Sequence, residues 1–212
     1  MTIRAAFFDF GGVILSSPFE AFNTYEAAHG LPVDFIRTVN ATDPHTNAWA
    51  RFERSEVLFD EFCDLFEAEC REAGQRLVAR DVMPLLAGEI RPAMVEAVRR
   101  CRDAGLVTAC LTNNWVGFGA YPDEGRAGGR DDALGLFHHV IESSKVGVRK
   151  PDPRFYELAC ETSGVTPAEA VFLDDLGVNL KPAAAMGMTT IKVVDPSAAL
   201  AELEAVVGFP LG

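Results

Sequence analysis

No run of 18 consecutive apolar residues occurs in this 212-residue chain, so no transmembrane helix is expected. The first apolar stretch, Ala5 to Phe8, stops at Asp9 and is too short for the core of a secretory signal. Positive charge is scarce: 19 Lys and Arg stand against 31 Asp and Glu, a net charge of −12. Such a chain repels polyanions, which argues against nucleic acid and anionic membrane as partners. Any phosphate it holds must sit in a local site, together with a metal. Cys63, Cys70, Cys101, Cys110 and Cys160 are odd in number, show no C-x-x-C spacing and lie in apolar patterns. They read as reduced, buried thiols of a cytoplasmic protein. No internal repeat is evident. No G-x-G-x-x-G or P-loop spacing follows Gly11-Gly12, so a common nucleotide-binding loop is not indicated.

Apolar residues make up 49% of the chain and charged residues 24%, which is globular composition. The length supports one ordinary core, or a core with a small accessory domain. Ala5 to Asp9 reads as a buried strand ending in a glycine turn. Ser17-Pro18-Phe19-Glu20 resembles a capping box, with a helix running to about His29, and Pro32 can start another. Between Ser55 and Ala73, Phe59, Phe62, Phe66 and Cys70 recur at helical spacing. Residues 17–87 therefore read as purely helical.

The pattern changes after residue 88. A helix from Pro92 to Gly105 precedes an apolar run, Leu106 to Leu111, and Val140 to Ser143 is the next strand. A helix from Asp152 to about Thr162 follows. Thr166-Pro167-Ala168-Glu169 then forms a second capping-box pattern before the strand Ala170 to Asp174. A helix over Asn179 to Met186, a strand over Thr189 to Val194 and a helix near Ser197 to Val206 complete the chain. Alternating strands and helices predict an α/β fold with a three-layer, Rossmann-like parallel sheet. The expected core is 1–16 and 88–212, with 17–87 as an inserted helical cap. The glycine-rich stretch from Val116 to Gly135 reads as a surface loop.

Ligands of an open parallel sheet bind outside the carboxyl ends of its strands. Asp9, Thr112-Asn113-Asn114, Lys150 and Asp174-Asp175 all fall there. A strand-end aspartate alone is most often a cap, but four complementary groups at successive strand ends suit phosphoryl transfer. A carboxylate serves as nucleophile, carboxylate and carbonyl oxygens suit Mg²⁺, and a lysine balances the charge.

These segments resemble the haloacid dehalogenase superfamily of hydrolases. The matching motifs are Phe7-Phe8-Asp9-Phe10-Gly11-Gly12-Val13, Leu111-Thr112-Asn113-Asn114-Trp115, Lys150-Pro151-Asp152-Pro153 and Phe172 to Pro182, in the family's order. Ile141-Glu142-Ser143 and Asp174-Asp175-Leu176-Gly177-Val178-Asn179 are similar to the branch that includes the phosphatase domain of soluble epoxide hydrolase and a domain of one acyl-CoA dehydrogenase family member. The resemblance implies Asp9 as nucleophile and Mg²⁺ ligand. It implies the Gly11 carbonyl and Asp175 as further ligands, with Asp174 a supporting or alternate one. Thr112 and the Asn113 backbone would bind phosphoryl oxygens, Lys150 would neutralise the site, and Asn179 would support the metal loop. The substrate would be a small phosphorylated molecule.

One departure matters. Phosphatases of this family carry an acid/base aspartate two residues after the nucleophile, and here that position is Gly11. Such a group is worth roughly a hundred- to ten-thousand-fold in rate. Three readings follow: a weakened or selective phosphatase, a metal-independent dehalogenase, and a non-catalytic module that binds a phosphorylated ligand or partner. Asp174-Asp175 argue against the dehalogenase. Glu20 or a water could stand in for the acid.

Other signals favour bland roles. His138-His139 lack partners at ligand spacing, and Arg99-Arg100-Arg102 read as a solvated face. Phe59, Phe62 and Phe66 fit the cap's own core better than a pocket. Trp115 either walls the site or packs on its loop.

Overall fold

The computed structural model describes residues 2–115 and 127–211. Five parallel strands form one sheet in the order β3-β2-β1-β4-β5: β1 (Ala5–Phe8), β2 (Val107–Thr112), β3 (His139–Glu142), β4 (Ala170–Asp174) and β5 (Thr189–Lys192). The central strand β1 pairs Phe8 with Cys110 on one side and with Leu173 on the other. Successive residues of a strand face opposite sides. Ala6 and Phe8 accordingly join an apolar cluster with Met94, Val98, Cys101 and Leu203, while Ala5 and Phe7 join one with Phe155, Tyr156, Cys160 and Leu180. The first cluster is covered by α6 (Pro92–Asp103) and α11 (Pro196–Val207), the second by α9 (Pro153–Ser163) and α10 (Gly177–Ala185). The result is the expected three-layer α/β core.

Between β1 and β2 the chain forms a helical insert: α1 (Phe19–Ala28), α2 (Phe35–Ala41), α3 (Ala48–Glu53), α4 (Phe59–Glu72), α5 (Ala79–Val82) and a short turn over Met83–Ala87. It builds its own apolar cluster, in which Trp49 packs edge-on against Phe62 and Phe66. Phe62 and Phe66 are fully buried there, so these rings are core rather than pocket lining. The two linking segments pair with each other. Ser16 N–H donates to Glu89 O at 2.7 Å, and Arg91 N–H donates to Ile14 O at 2.8 Å.

Three expectations need correction. Ser17 does not cap α1, whose N-terminal residue makes no side-chain cap bond; the Ser17 hydroxyl donates instead to Asp175 Oδ2 at 3.4 Å. The second helix starts at Phe35, not Pro32, because Asp34 holds a left-handed φ of 59°. The expected loop over Val116 to Gly135 is only partly addressed, since 116–126 lie outside the described residues. Its remainder is a helix, α7 (Ala127–Leu134). Tertiary packing overrides its glycine content: Ala133 joins the core, Arg130 bonds the carbonyl of Ala87, and Gly129 packs against the tip of the Ile90 side chain. A four-residue helix, α8 (Ser143–Val146), follows β3 directly.

The five cysteines are buried and free. No described helix is long and apolar enough to cross a membrane. Arg99 and Arg100 pair with Glu96 on the exposed face of α6. His138 lies against Thr108 of the neighbouring strand, with its Nδ1 3.0 Å from the Thr108 hydroxyl.

Candidate active site

The carboxyl ends of β1, β2 and β4 converge because β1 is the middle strand. Asp9 continues the ladder, its N–H donating to Leu173 O at 2.8 Å. Residues 10–14 then close one wide turn, with Leu15 N–H bonded to Phe10 O at 2.8 Å. Gly12 is required in it. Its φ is +76°, and a β-carbon there would overlap the Asp175 carboxylate. Gly11 differs: its φ is −68° and a β-carbon would meet nothing within 4 Å.

Lys150 is the hub. Its side chain is 1% exposed, and its ammonium lies 2.8 Å from Asp9 Oδ1 and 2.7 Å from Asp174 Oδ2. Phe10 N–H also donates to Asp9 Oδ1, at 2.7 Å. Both bonds therefore fall on Oδ1, leaving Oδ2 of Asp9 without a hydrogen bond among the described residues. Asp174 is saturated: Lys150 Nζ, Asn179 Nδ2 and Leu176 N–H all donate to it, the amide reaching both oxygens at 3.1 and 3.0 Å. The Tyr156 hydroxyl fixes Asn179 by donating to its carbonyl at 2.6 Å. Asp175, half-buried, accepts a long bond from the Ser17 hydroxyl at 3.4 Å.

Electrostatics follow from this enclosure. Burial raises the Asp9 carboxyl well above its ordinary range; Lys150 opposes the rise, and the charges of Asp174 and Asp175 add to it. Burial, then the neighbouring Asp174, pushes Asp175 up to about 6. For Lys150, burial works against the charge, but Asp174 and Asp9 outweigh it and hold the amine firmly protonated.

Asp9, Asp174 and Asp175 each offer a carboxylate oxygen within 4.8 Å of the others, the one such group among the described residues. With all three carboxyls ionised, one ammonium leaves two negative charges in a largely buried space, and the raised Asp9 and Asp175 show that this charge is disfavoured without a cation. That donor set suits a hard divalent cation. Since the lone pairs of Asp174 are already engaged, Asp9 and Asp175 are the side chains with oxygens to give.

Thr112 ends β2 as a buried residue. The Asn113 side chain has a role the sequence did not reveal: it clamps the Lys150 backbone, accepting from its N–H at 2.9 Å and donating to its carbonyl at 3.0 Å. Asn114 binds Glu142 at 2.7 Å and the Ser144 hydroxyl at 2.7 Å, tying the β2 and β3 loops together. Arg91 donates to the Gly12 carbonyl at 2.8 Å. Tyr156 and Arg91 were not singled out from sequence, because each acts through a backbone carbonyl. Trp115 is settled: it stacks on Phe52 of the insert at 5.4 Å and is buried in that cluster.

Comparison with known proteins agrees with this geometry. The family described as haloacid dehalogenase-like hydrolase matches residues 3–187. The chain is 36% identical to mouse acyl-CoA dehydrogenase family member 10 over 216 residues, covering 98% of the chain and 19% of that protein. It is 34% identical to pig bifunctional epoxide hydrolase 2 over 226 residues, covering 100% of the chain and 40% of that protein. The chain thus spans less than half of the length of both relatives. A third relative, the sesquiterpene phosphatase astK of Aspergillus oryzae, is 26% identical over 209 residues, with 98% of each chain covered. With a family match over most of its length and a buried carboxylate–lysine site at the family's motifs, the chain belongs to the haloacid dehalogenase-like hydrolases.

Proposed function

We propose that the protein is a Mg²⁺-dependent phosphatase that transfers the phosphoryl group of a small substrate to Asp9 and then to water. The observation that carries this reading is the ion-paired row Asp9–Lys150–Asp174, with the Asp175 carboxylate alongside and only one ammonium among the three acids. Asp9 and Asp175, with the Gly11 carbonyl, would hold the ion, which when bound offsets charge on the transferring phosphoryl oxygens and keeps Asp9 ionised. Asp9 Oδ2 attacks phosphorus, and the bond from phosphorus to the leaving oxygen breaks. Lys150 stays charged and neutralises the growing negative charge, while Thr112 and the Asn113 backbone hold non-reacting oxygens. Water then attacks the aspartyl-phosphate and the acyl oxygen–phosphorus bond breaks, releasing dihydrogen phosphate, which keeps both protons of the water, and the Asp9 carboxylate. The helical insert, residues 17–87, is the cap over this site, and the core comprises 1–16 and 88–212.

Gly11 makes the enzyme selective. It supplies no side chain to protonate a leaving alcohol, and Lys150 is too firmly protonated to serve. Substrates with stable leaving anions, such as acyl, aryl or anhydride phosphates, need no proton and fit this site best.

The test is phosphate release from an aryl phosphate by the full chain. Release that requires Mg²⁺ and disappears in Asp9→Asn supports the reading. Halide release without metal points to a dehalogenase, and phosphate binding without turnover to a binding module; either would overturn it.

A further inference from the structure

The end of α3 touches the core through three nearly consecutive residues. Phe52 stacks on Trp115, just beyond Thr112-Asn113-Asn114. The Ser55 hydroxyl donates to Ser144 O at 3.1 Å. Between them, Glu53 Oε2 meets Arg149 Nε at 2.5 Å, and Arg149 Nη1 donates to Pro44 O at 2.8 Å. The two charged side chains are only 15% and 19% exposed. An ion pair so far removed from water is screened little by salt. It is also costly to keep, which makes it a device for orientation more than for stability.

Arg149 immediately precedes Lys150. Asn113 grips the Lys150 backbone from the β2 side, and Arg149 ties the same segment to the insert from the other. The ammonium of Lys150 must end within hydrogen-bond reach of two carboxylates on two different strands. Little backbone drift is compatible with that.

We propose that Glu53 and Arg149 form a latch between insert and core that positions Lys150, and through Asn113 the β2 loop, for phosphate binding. This rests on the reading that Lys150 serves a phosphoryl site. Arg149 and Glu53 are positioning residues: they act through the Lys150 backbone. Displacing a charged group by about 1 Å costs on the order of a hundredfold, and a partly retained clamp costs less.

The test uses the full chain with Mg²⁺ and an aryl phosphate, and inorganic phosphate as inhibitor. Glu53→Gln and Arg149→Met are each expected to weaken phosphate inhibition and kcat/KM by about tenfold. Mg²⁺ half-saturation should stay within about twofold, because Asp9 and Asp175 lie outside the pair. Arg149→Lys, which keeps the charge, should recover most of the loss seen in Arg149→Met. Unchanged phosphate inhibition in both neutral variants overturns the latch. So does parallel loss of Mg²⁺ and phosphate affinity, which marks general loosening, and so does an Arg149→Lys variant no better than Arg149→Met. If one neutral variant does not fold, the other carries the same readout. If the parent lacks turnover, the phosphatase reading fails by itself. The latch is then judged by the thermal shift that phosphate and Mg²⁺ induce together: loss in the neutral variants supports it, and an unchanged shift overturns it.

Discussion

The Asp175 carboxylate occupies the space where a β-carbon on Gly12 would stand. One residue on a left-handed turn thereby sets the position of a carboxylate more than 160 residues away in sequence. Arg91 secures the arrangement by holding the Gly12 carbonyl at 2.8 Å.

Gly12→Ala should therefore damage the site more than Gly11→Ala. At position 12 the methyl meets both an unfavourable φ of +76° and Asp175, with strain of about 1–2 kcal/mol and a displaced carboxylate. At position 11 it meets ordinary backbone and open space. The expected outcome is a Mg²⁺ half-saturation raised at least about tenfold in Gly12→Ala and unchanged in Gly11→Ala. A magnesium titration followed by thermal shift measures both.

Adjacent Asp174 and Asp175 should separate cleanly. Asp174 is fully buried and accepts from Lys150, Asn179 and Leu176. Asp174→Asn leaves Lys150 with one carboxylate, and the expected loss in urea unfolding is about 3–5 kcal/mol. Asp175→Asn removes a charge that its surroundings already disfavour. Metal-free stability should hold or rise while the response to Mg²⁺ disappears. Equal losses of stability in the two variants would contradict this division of labour.

The sheet and the site's strand ends were legible because their signals are local. Apolar runs ending in Asp9, Thr112 and Asp174 need only the parallel-sheet rule to be brought together. Ser17 was misread because Ser-Pro-x-Glu carries a capping signature whether or not the hydroxyl is drawn elsewhere, and here Asp175 draws it. The helix α7 was missed because its glycines suppress helix propensity, while close packing on Ile90, which no local pattern encodes, restores it. The Asn113 clamp and the Tyr156–Asn179 bond run through backbone groups, whose partners depend on the finished fold. Residue type alone does not announce them.

Metal binding should depend on pH in a defined direction. Asp175 is raised from 3.8 to about 6, and Asp9 is raised too, chiefly by burial. A carboxyl with a raised folded pKa favours the metal-free fold at low pH, and this contribution is lost as pH climbs from near 4 through about 6. A ligand must be ionised to hold the ion. The Mg²⁺-induced rise in melting temperature should thus be small near pH 5 and grow to a plateau above about pH 7. Melting curves with Mg²⁺ and with chelator across that range measure it. A shift independent of pH would mean that these carboxyls do not bind the metal.

Turnover should report the missing side chain at position 11. In the proposed mechanism, formation of the aspartyl-phosphate is governed by leaving-group stability, so kcat/KM should fall steeply as leaving-group pKa rises from aryl to alkyl phosphates. Hydrolysis of the intermediate also lacks a base, so kcat for the best substrates should level off and an initial burst should appear. Gly11→Asp starts its side chain from a β-carbon position that meets nothing within 4 Å. It should raise kcat/KM for alkyl phosphates by roughly a hundredfold, with little gain for aryl phosphates, flattening the dependence. Gly11→Asn adds the same bulk without the proton and should gain nothing. A shallow dependence in the parent, or equal gains from Asp and Asn, would show that proton supply at position 11 is not what limits this enzyme.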